Sequence, residues 1–352
     1  MNTLNYIGCK KTLLNYIREA VLEYIGGSED EIRFSERKFA DLFAGTGIVG
    51  GSLTSMFGTT EANDLEYYSY TINCALLKCP YTEKLALFIE KLNALEGIEG
   101  IISRHYSPTE ECERLFFTVE NAMKCDAMRQ QIEIWLQEES IDVHEYAFLV
   151  ASVLVSIDKV ANTTSVYGAY LKKFKKSALK PLVCQPIHTF AELEVEDNEV
   201  HQGKTEELVK SKTFDIVYMD PPYNQRQYGA NYAPLNYIAY YDETIPVLGK
   251  TGLIKDYNKS DFCSKRKVKE CFRSTLENLK CKCLILSYNN EGLLNIEELK
   301  EILLQKGQVI LYRIKYNKFK AHQRVDKKYV EEYLWVVDME GEVGVFEERS
   351  AL

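Results

Sequence analysis

The sequence predicts a doubly wound α/β fold, in which a mostly parallel sheet carries a C-terminal antiparallel hairpin and is interrupted by a helical insertion. Three observations carry this reading. Short apolar runs of strand length alternate with longer stretches of helical periodicity. Residues 82–190 carry helical patterns without a convincing strand. The last two apolar runs are separated by only a moderate loop, as in a hairpin.

Along the chain, a helical pattern starts at Leu13, a strand is expected over Lys38–Phe43, and a glycine turn leads into a helix from Ile48. A second strand is expected over Thr59–Asn63. Helices are then expected over Glu120–Gln137 and His144–Asn162. Strands return at Phe214–Met219 and Lys282–Tyr288, a helix spans about Leu293–Gln305, and the hairpin strands are Gln308–Tyr316 and Glu332–Asp338. The division expected is residues 1–81 and 191–352 for the sheet and 82–190 for the insertion. No internal repeat or low-complexity tract is present.

A chain of 352 residues with 46% hydrophobic content can bury one large core plus a smaller unit. The longest apolar run, Tyr146–Ile157, contains two serines and falls short of the roughly 20 residues that span a bilayer, so it reads as a buried helix. The start, MNTLNYIGCKK, lacks the apolar stretch and small-residue site of an export signal, which points to the cytoplasm. The ten cysteines include no C-x-x-C pair and the five histidines no i, i+4 pair; free thiols and no metal are expected.

The net charge of −9 weighs against nucleic-acid binding, because phosphate contacts supply most non-specific affinity. Distribution matters more than the sum. Basic clusters occur at Lys172, Lys173, Lys175, Lys176 and Lys180, at Lys265, Arg266, Lys267 and Lys269, and from Arg313 through Lys315, Lys318, Lys320 and Arg324 to Lys327 and Lys328. Any one of them could be a solvated face, but three clusters, two of them carrying aromatics, favour a basic groove.

Three motifs carry chemistry. Asp220-Pro221-Pro222-Tyr223 follows the strand Phe214–Met219, at the edge where open α/β sheets bind ligands. An acidic side chain beside a backbone carbonyl can accept both hydrogens of an amino group such as that of adenine, whose lone pair is delocalised into the ring; Asp220 and the Pro221 carbonyl are suited to this, with Tyr223 as a stacking platform. The alternative is a strand-end turn that merely packs. Asp41-Leu42-Phe43-Ala44-Gly45-Thr46-Gly47 runs from a strand into a glycine turn where backbone could approach a cofactor; it has neither the G-x-G-x-x-G register nor a P-loop lysine. Asp64, after the second strand, could hold ribose hydroxyls or simply sit in a loop. Asn5-Tyr6-Ile7-Gly8-Cys9-Lys10 places a lysine near a helix start, where it can meet a carboxylate.

In this order, Tyr-x-Gly-x-Lys, Phe-x-Gly-x-Gly, a long insertion and Asp-Pro-Pro-Tyr, the motifs resemble the Dam-like alpha group of DNA adenine-N6 methyltransferases, over nearly the whole chain. Within the group the chain looks most similar to modification methylases of FokI-type restriction systems, through Asp158–Asn162, Tyr167–Lys173, Asn224–Tyr228 and Ser287–Leu293. The resemblance implies a Rossmann-like S-adenosylmethionine-dependent methyltransferase sheet acting on an adenine flipped out of duplex DNA, alongside a possible cognate restriction endonuclease. It implies that Phe43, Gly45 and Gly47 form the cofactor turn, that Asp41 faces the methionine end and Asp64 the ribose, and that Tyr6, Gly8 and Lys10 close over the methionine. Asp220, Pro221 and Tyr223 would carry transfer, with Asp220 also beside the cofactor, and the insertion would read the target.

DNA contacts are expected from Lys172, Lys173, Lys175 and Lys176, and from Arg226 and Tyr228 in a tyrosine-rich segment that also contains Tyr232, Tyr237, Tyr240 and Tyr241 and could either wedge into the duplex or pack on the sheet. One departure stands out: where relatives often place an acidic residue for the cofactor base, Gly203 is followed by Lys204, so Glu206, Glu207 or backbone must substitute and the contact is unassigned. The rivals are an RNA adenine methyltransferase, a cytosine amino methyltransferase, and a non-catalytic DNA-binding regulator that kept the fold. Oligomeric state and recognition sequence are not legible.

Overall fold

The structure, a computed structural model, describes residue 4 and residues 10–27, 36–188, 197–317 and 329–350. The strands of its main sheet are β1 Lys38–Asp41, β2 Thr59–Asp64, β3 Glu199–Gln202, β4 Ile216–Met219, β7 Cys283–Asn289, β8 Gln308–Asn317, β9 Tyr329–Asp338 and β10 Phe346–Ser350. These eight lie in the order β10-β8-β9-β7-β4-β1-β2-β3. From β7 to β3 all neighbours pair in parallel. Strand β9 runs antiparallel to both β7 and β8, and β10 pairs in parallel with β8. The expected hairpin is therefore present, and β9 inserts between β7 and β8 with its first residues at the carboxyl edge of the parallel strands.

The central strands are apolar on both faces, as a sheet covered by helices requires. Side chains alternate: Phe39, Ile216, Tyr218, Cys283 and Ile285 pack with helices α1 (Leu14–Ile25) and α2 (Ile48–Leu53). Ala40, Val217, Met219, Leu284 and Leu286 pack on the other face.

Between β2 and β3 lie α3 (Tyr67–Lys78), α4 (Glu83–Ala94), α5 (Ile101–Tyr106), α6 (Val119–Gln137) and α7 (Val143–Lys159). Asp142 caps α7 by accepting the His144 and Glu145 N–H groups at 2.8 and 2.9 Å. Every residue from Ala147 to Asp158 is buried, which explains the unbroken apolar run. Two single-turn helices, α8 (Thr205–Leu208) and α9 (Tyr228–Asn231), stand before and after β4 in the chain, and α9 leads into α10 (Ala233–Tyr240). Helix α7 packs on α3, and the two share one core with α10, so the helical segment is joined to the sheet rather than hung from it.

The second face of the sheet is covered by α11 (Val268–Asn278) and α12 (Ile296–Leu303), the latter started by a capping box of Asn295 and Glu298. Between α10 and α11 the chain adds a short two-stranded hairpin, β5 (Val247–Leu248) with β6 (Leu253–Ile254).

Departures from expectation have local causes. Helix α7 stops at Lys159, three residues short of Asn162, whose amide donates to the carbonyls of Leu115 and Leu171 and so leaves the helical path. Strand β1 ends at Asp41 because the glycine turn begins there. Strands β3 (EVHQ) and β10 (FEERS) carry charged edge sequences that apolar periodicity does not register.

Candidate active site

Strands β1, β2 and β4 each deliver an aspartate to one edge: Asp41, Asp64 and, one residue past β4, Asp220. The glycine turn after β1 fills the space between them. Gly45 and Gly47 have φ of 51° and 70°, and a Cβ on Gly47 would lie 2.4 Å from Leu76 Cδ1 and 2.8 Å from Asn73 Oδ1. Only glycine satisfies both demands. The Gly45 N–H donates to Asp64 Oδ2 at 2.8 Å, and the Glu66 N–H donates to Asp64 Oδ1 at 2.8 Å, tying the two strand ends together.

Asp41 is 1% exposed; its Oδ2 accepts the Gly50 N–H at 3.1 Å, while Oδ1 is buried with no partner among the described residues. Burial pushes its carboxyl up to about 7, against the pull of the Gly50 N–H. Burial also raises Asp64.

Asp64, Phe43, Asp220, Pro221, Tyr223 and Tyr228 line one open cleft at this edge. Asp220 is engaged from beneath by Lys10, whose ammonium lies 3.0 Å from Asp220 Oδ1 and 2.7 Å from Glu332 Oε1. Burial raises the Asp220 carboxyl to about 6; Lys10 opposes this and Glu332 adds to it. Burial of Lys10 favours its neutral form, but the two carboxylates outweigh it and raise its pKa.

Residues 6–302 match the family of D12 class N6 adenine-specific DNA methyltransferases. The chain belongs to this family. It is thus an S-adenosylmethionine-dependent enzyme that methylates the N6 amino group of adenine in DNA. Among its relatives are type II methyltransferase M.NlaIII of Neisseria lactamica, 42% identical over 93% of this chain and 95% of that protein, and M.CviAII of Paramecium bursaria Chlorella virus 1, 40% identical over 97% and 100%. Type II methyltransferase M.FokI of Planomicrobium okeanokoites is 33% identical over 95% of this chain, which spans 52% of M.FokI. The expected proximity to FokI-type methylases is thereby corrected: M.NlaIII and M.CviAII are more similar.

The orphaned Asp41 Oδ1 is a buried acceptor of the kind an ammonium group can fill, whereas the close approach at Gly47 is to the protein's own Leu76 and Asn73. Of the two acidic residues considered for the cofactor base, Glu206 lines the cleft while Glu207 pairs with Lys210 at 2.7 Å on the surface.

Lys10 does meet carboxylates, as its place near a helix start allows. Its ammonium lies between two protein carboxylates, the buried Glu332 and the half-buried Asp220, whose mutual repulsion a cation relieves. Tyr6 and Gly8 lie outside the described residues.

The basic clusters also separate. Lys172, Lys173 and Lys176 have no ion-pair partner among the described residues, whereas Lys175 donates to the Thr163 carbonyl at 2.7 Å. Lys267 pairs with Asp261 at 3.1 Å and Lys269 with Glu301 at 3.4 Å; Lys265 and Arg266 are exposed. Arg313 bonds Glu348 at 2.7 Å, and Lys318, Lys320, Arg324, Lys327 and Lys328 fall outside the described residues.

Within the tyrosine-rich segment, packing wins over wedging for most members. Tyr232 and Tyr237 are fully buried, Tyr240 stacks on Tyr67 at 4.4 Å, and the Tyr241 hydroxyl donates to Asp126 Oδ1 at 3.1 Å. Tyr228 instead reaches the cleft, stacked at 6.0 Å on Tyr232, and Arg226 is exposed.

Glu66 and Glu332 escaped the sequence reading. Glu66 lines the cleft two residues after Asp64 and accepts from Asn236 Nδ2 at 2.6 Å; burial raises it to about 8, opposed by Asn236. Its spacing from Asp64 was the one available signal. Glu61, Glu199 and His201 cluster on the β2–β3 edge, but Lys212 sits 3.0 Å from Glu61 and 2.6 Å from Glu199 and already supplies the cation.

Proposed function

We propose that this chain is a site-specific methyltransferase of a type II restriction-modification system, in which Asp220, Pro221 and Tyr223 carry transfer to an adenine flipped from duplex DNA. The observation that carries the reading is that Asp220 opens into the same cleft as Phe43 and Asp64, at the carboxyl end of the sheet. When bound, S-adenosylmethionine supplies an electrophilic methyl group on its sulfonium. Phe43, Gly45 and Gly47 would hold it with Asp41 at the methionine end and Asp64 at the ribose.

The chain's own part is to bind and orient the base. Lys10 holds Asp220 Oδ1, leaving Oδ2 for one amino hydrogen, and the Pro221 carbonyl accepts the other. Accepting both hydrogens draws the nitrogen towards tetrahedral geometry and frees its lone pair. Tyr223, with Tyr228 behind it, offers a stacking wall that returns ~1–3 kcal/mol of the cost of extruding the base. The surplus proton leaves to water after attack, with no covalent enzyme intermediate.

Helices α4–α7 and the loop that follows are the candidate target-recognition region. Tyr167 N–H donates to the Asn231 carbonyl at 2.7 Å, so the loop bearing Lys172, Lys173 and Lys176 is anchored to the segment just past the catalytic motif. These lysines, with Arg226, are suited to phosphates flanking the flipped base. Action on host DNA alongside a cognate endonuclease would place the protein in the cytoplasm; among the described residues no helix is long and apolar enough to cross a membrane.

The test is methyl transfer from labelled S-adenosylmethionine to duplex DNA, single-stranded DNA and RNA, followed by long-read sequencing of the modified duplex. The reading expects N6-methyladenine at one short motif in the duplex. Preferential labelling of RNA, or label on cytosine, would overturn it.

A further inference from the structure

Glu332 lies in a strand that sequence patterning marks only as buried sheet, yet its carboxylate reaches the active site. It is 1% exposed, and its Oε1 accepts from Lys10 Nζ and from Ser287 Oγ, both at 2.7 Å. The reversal of β9 explains its position. Glu332 pairs with Asn289, the last residue of β7, and so stands at the carboxyl edge beside Asp220, where the early residues of a parallel strand would have been at the opposite edge.

A buried carboxylate so close to another is costly unless it serves to hold a charge. Lys10 bridges the two, from the short 3-10 turn Lys10–Thr12 at the other end of the chain. We propose that Glu332 is a positioning residue for methyl transfer: it fixes the Lys10 ammonium against Asp220 and thereby sets the orientation and charge of the acceptor carboxylate. Ser287, on the neighbouring strand, fixes Glu332 in turn. The inference rests on Asp220 being the acceptor.

The surroundings of Asp220 give the sign of the effect. Lys10 faces it from the N-terminal turn, Glu332 from β9, Tyr218 and Asp41 from the ends of β4 and β1, and Tyr223 and Tyr228 from the segment after the motif, with Glu291 beyond Tyr223. Glu332 raises the Asp220 carboxyl and Lys10 lowers it. Removing the Glu332 charge leaves Lys10 to neutralise Asp220 alone, so the carboxylate persists to lower pH but accepts hydrogens less well.

The experiment is the pH profile of kcat for Glu332→Gln, beside Asp220→Ala, with cofactor and DNA affinities measured in parallel. For Glu332→Gln the expected result is a roughly tenfold lower plateau, affinities within about threefold of the parent, and an acidic limb displaced downward by about one pH unit. A merely structural residue would lower activity or melting temperature and leave the limb in place; an unmoved limb therefore overturns the proposal. Should Glu332→Gln fail to fold, Glu332→Asp keeps the charge in the strand one methylene further back, with a smaller displacement in the same direction expected and an unmoved limb again overturning it. An active Asp220→Ala would instead overturn the reading of Asp220, so the two failures are distinguishable.

Discussion

The carboxylates of the cofactor side and of the catalytic side share a sheet edge but are held in opposite ways. Asp41 and Asp64 accept backbone N–H groups, Glu66 accepts from an asparagine amide, and no cation pairs with any of the three among the described residues. Asp220 and Glu332 share the Lys10 ammonium. Backbone amides orient a carboxylate without neutralising it, which leaves Asp41 with an unfilled acceptor ready for a cationic ligand. An ammonium favours the charged form of the half-buried Asp220, which is the state an acceptor of amino hydrogens requires.

The comparison would break most visibly at Asp220. Asp220→Ala is expected to lower kcat by about a thousandfold or more while cofactor affinity changes only a few-fold, as calorimetry would show. In the parent enzyme the pKa of about 6 is above the ordinary aspartate value, so the carboxylate is lost on acidification through pH 6 rather than near 4. Activity should therefore fall below pH 6 and level off above it.

Asp41→Asn sharpens the other side. Cofactor affinity is expected to drop about tenfold or more, because a neutral amide cannot match an ammonium as a carboxylate does. With Asp41 raised to about 7, parent affinity should tighten as pH rises through 7, and that dependence should vanish in the variant. Titrations at pH 6 and 8 give the comparison directly.

Gly47→Ala acts on the scaffold of the same side. A Cβ at positive φ and 2.4 Å from Leu76 Cδ1 should cost about 1–3 kcal/mol, read as a lower melting temperature together with weaker cofactor binding. The smallest effect lies away from both carboxylate sets. Alanine at Lys172, Lys173 and Lys176 should flatten the slope of log affinity against log salt by ~0.9 for each phosphate that is no longer neutralised, with kcat on saturating DNA nearly unchanged.

Motifs confined to a few consecutive residues were legible in the sequence. Asp220–Tyr223 follows an apolar strand and Asp41–Gly47 and Asp64 start at strand ends, and the glycines and prolines of the first two encode backbone shape locally, so the aligned strands bring all three to a common edge. The basic clusters were less legible, because a run of lysines does not disclose which carboxylates will stand opposite: Lys269 meets Glu301 across two helices, while Lys172 meets none among the described residues. Whether Tyr232 and Tyr237 wedge or pack was open in the sequence for the same reason, since an aromatic next to a catalytic motif packs inward or outward according to elements far away in the chain.

What the sequence by itself determined is the order of the main sheet strands other than β3 and β10, and the chemistry placed at the strand ends, because both follow from local backbone preference and apolar periodicity. What only the tertiary structure decided is the partner of each charge. Lys10 and Glu332 are 322 positions apart, and their meeting at Asp220 depends on β9 running against its neighbours and turning an otherwise ordinary strand glutamate towards the active site. Pairwise electrostatics is set by distances of a few ångströms, and only the closed sheet fixes those.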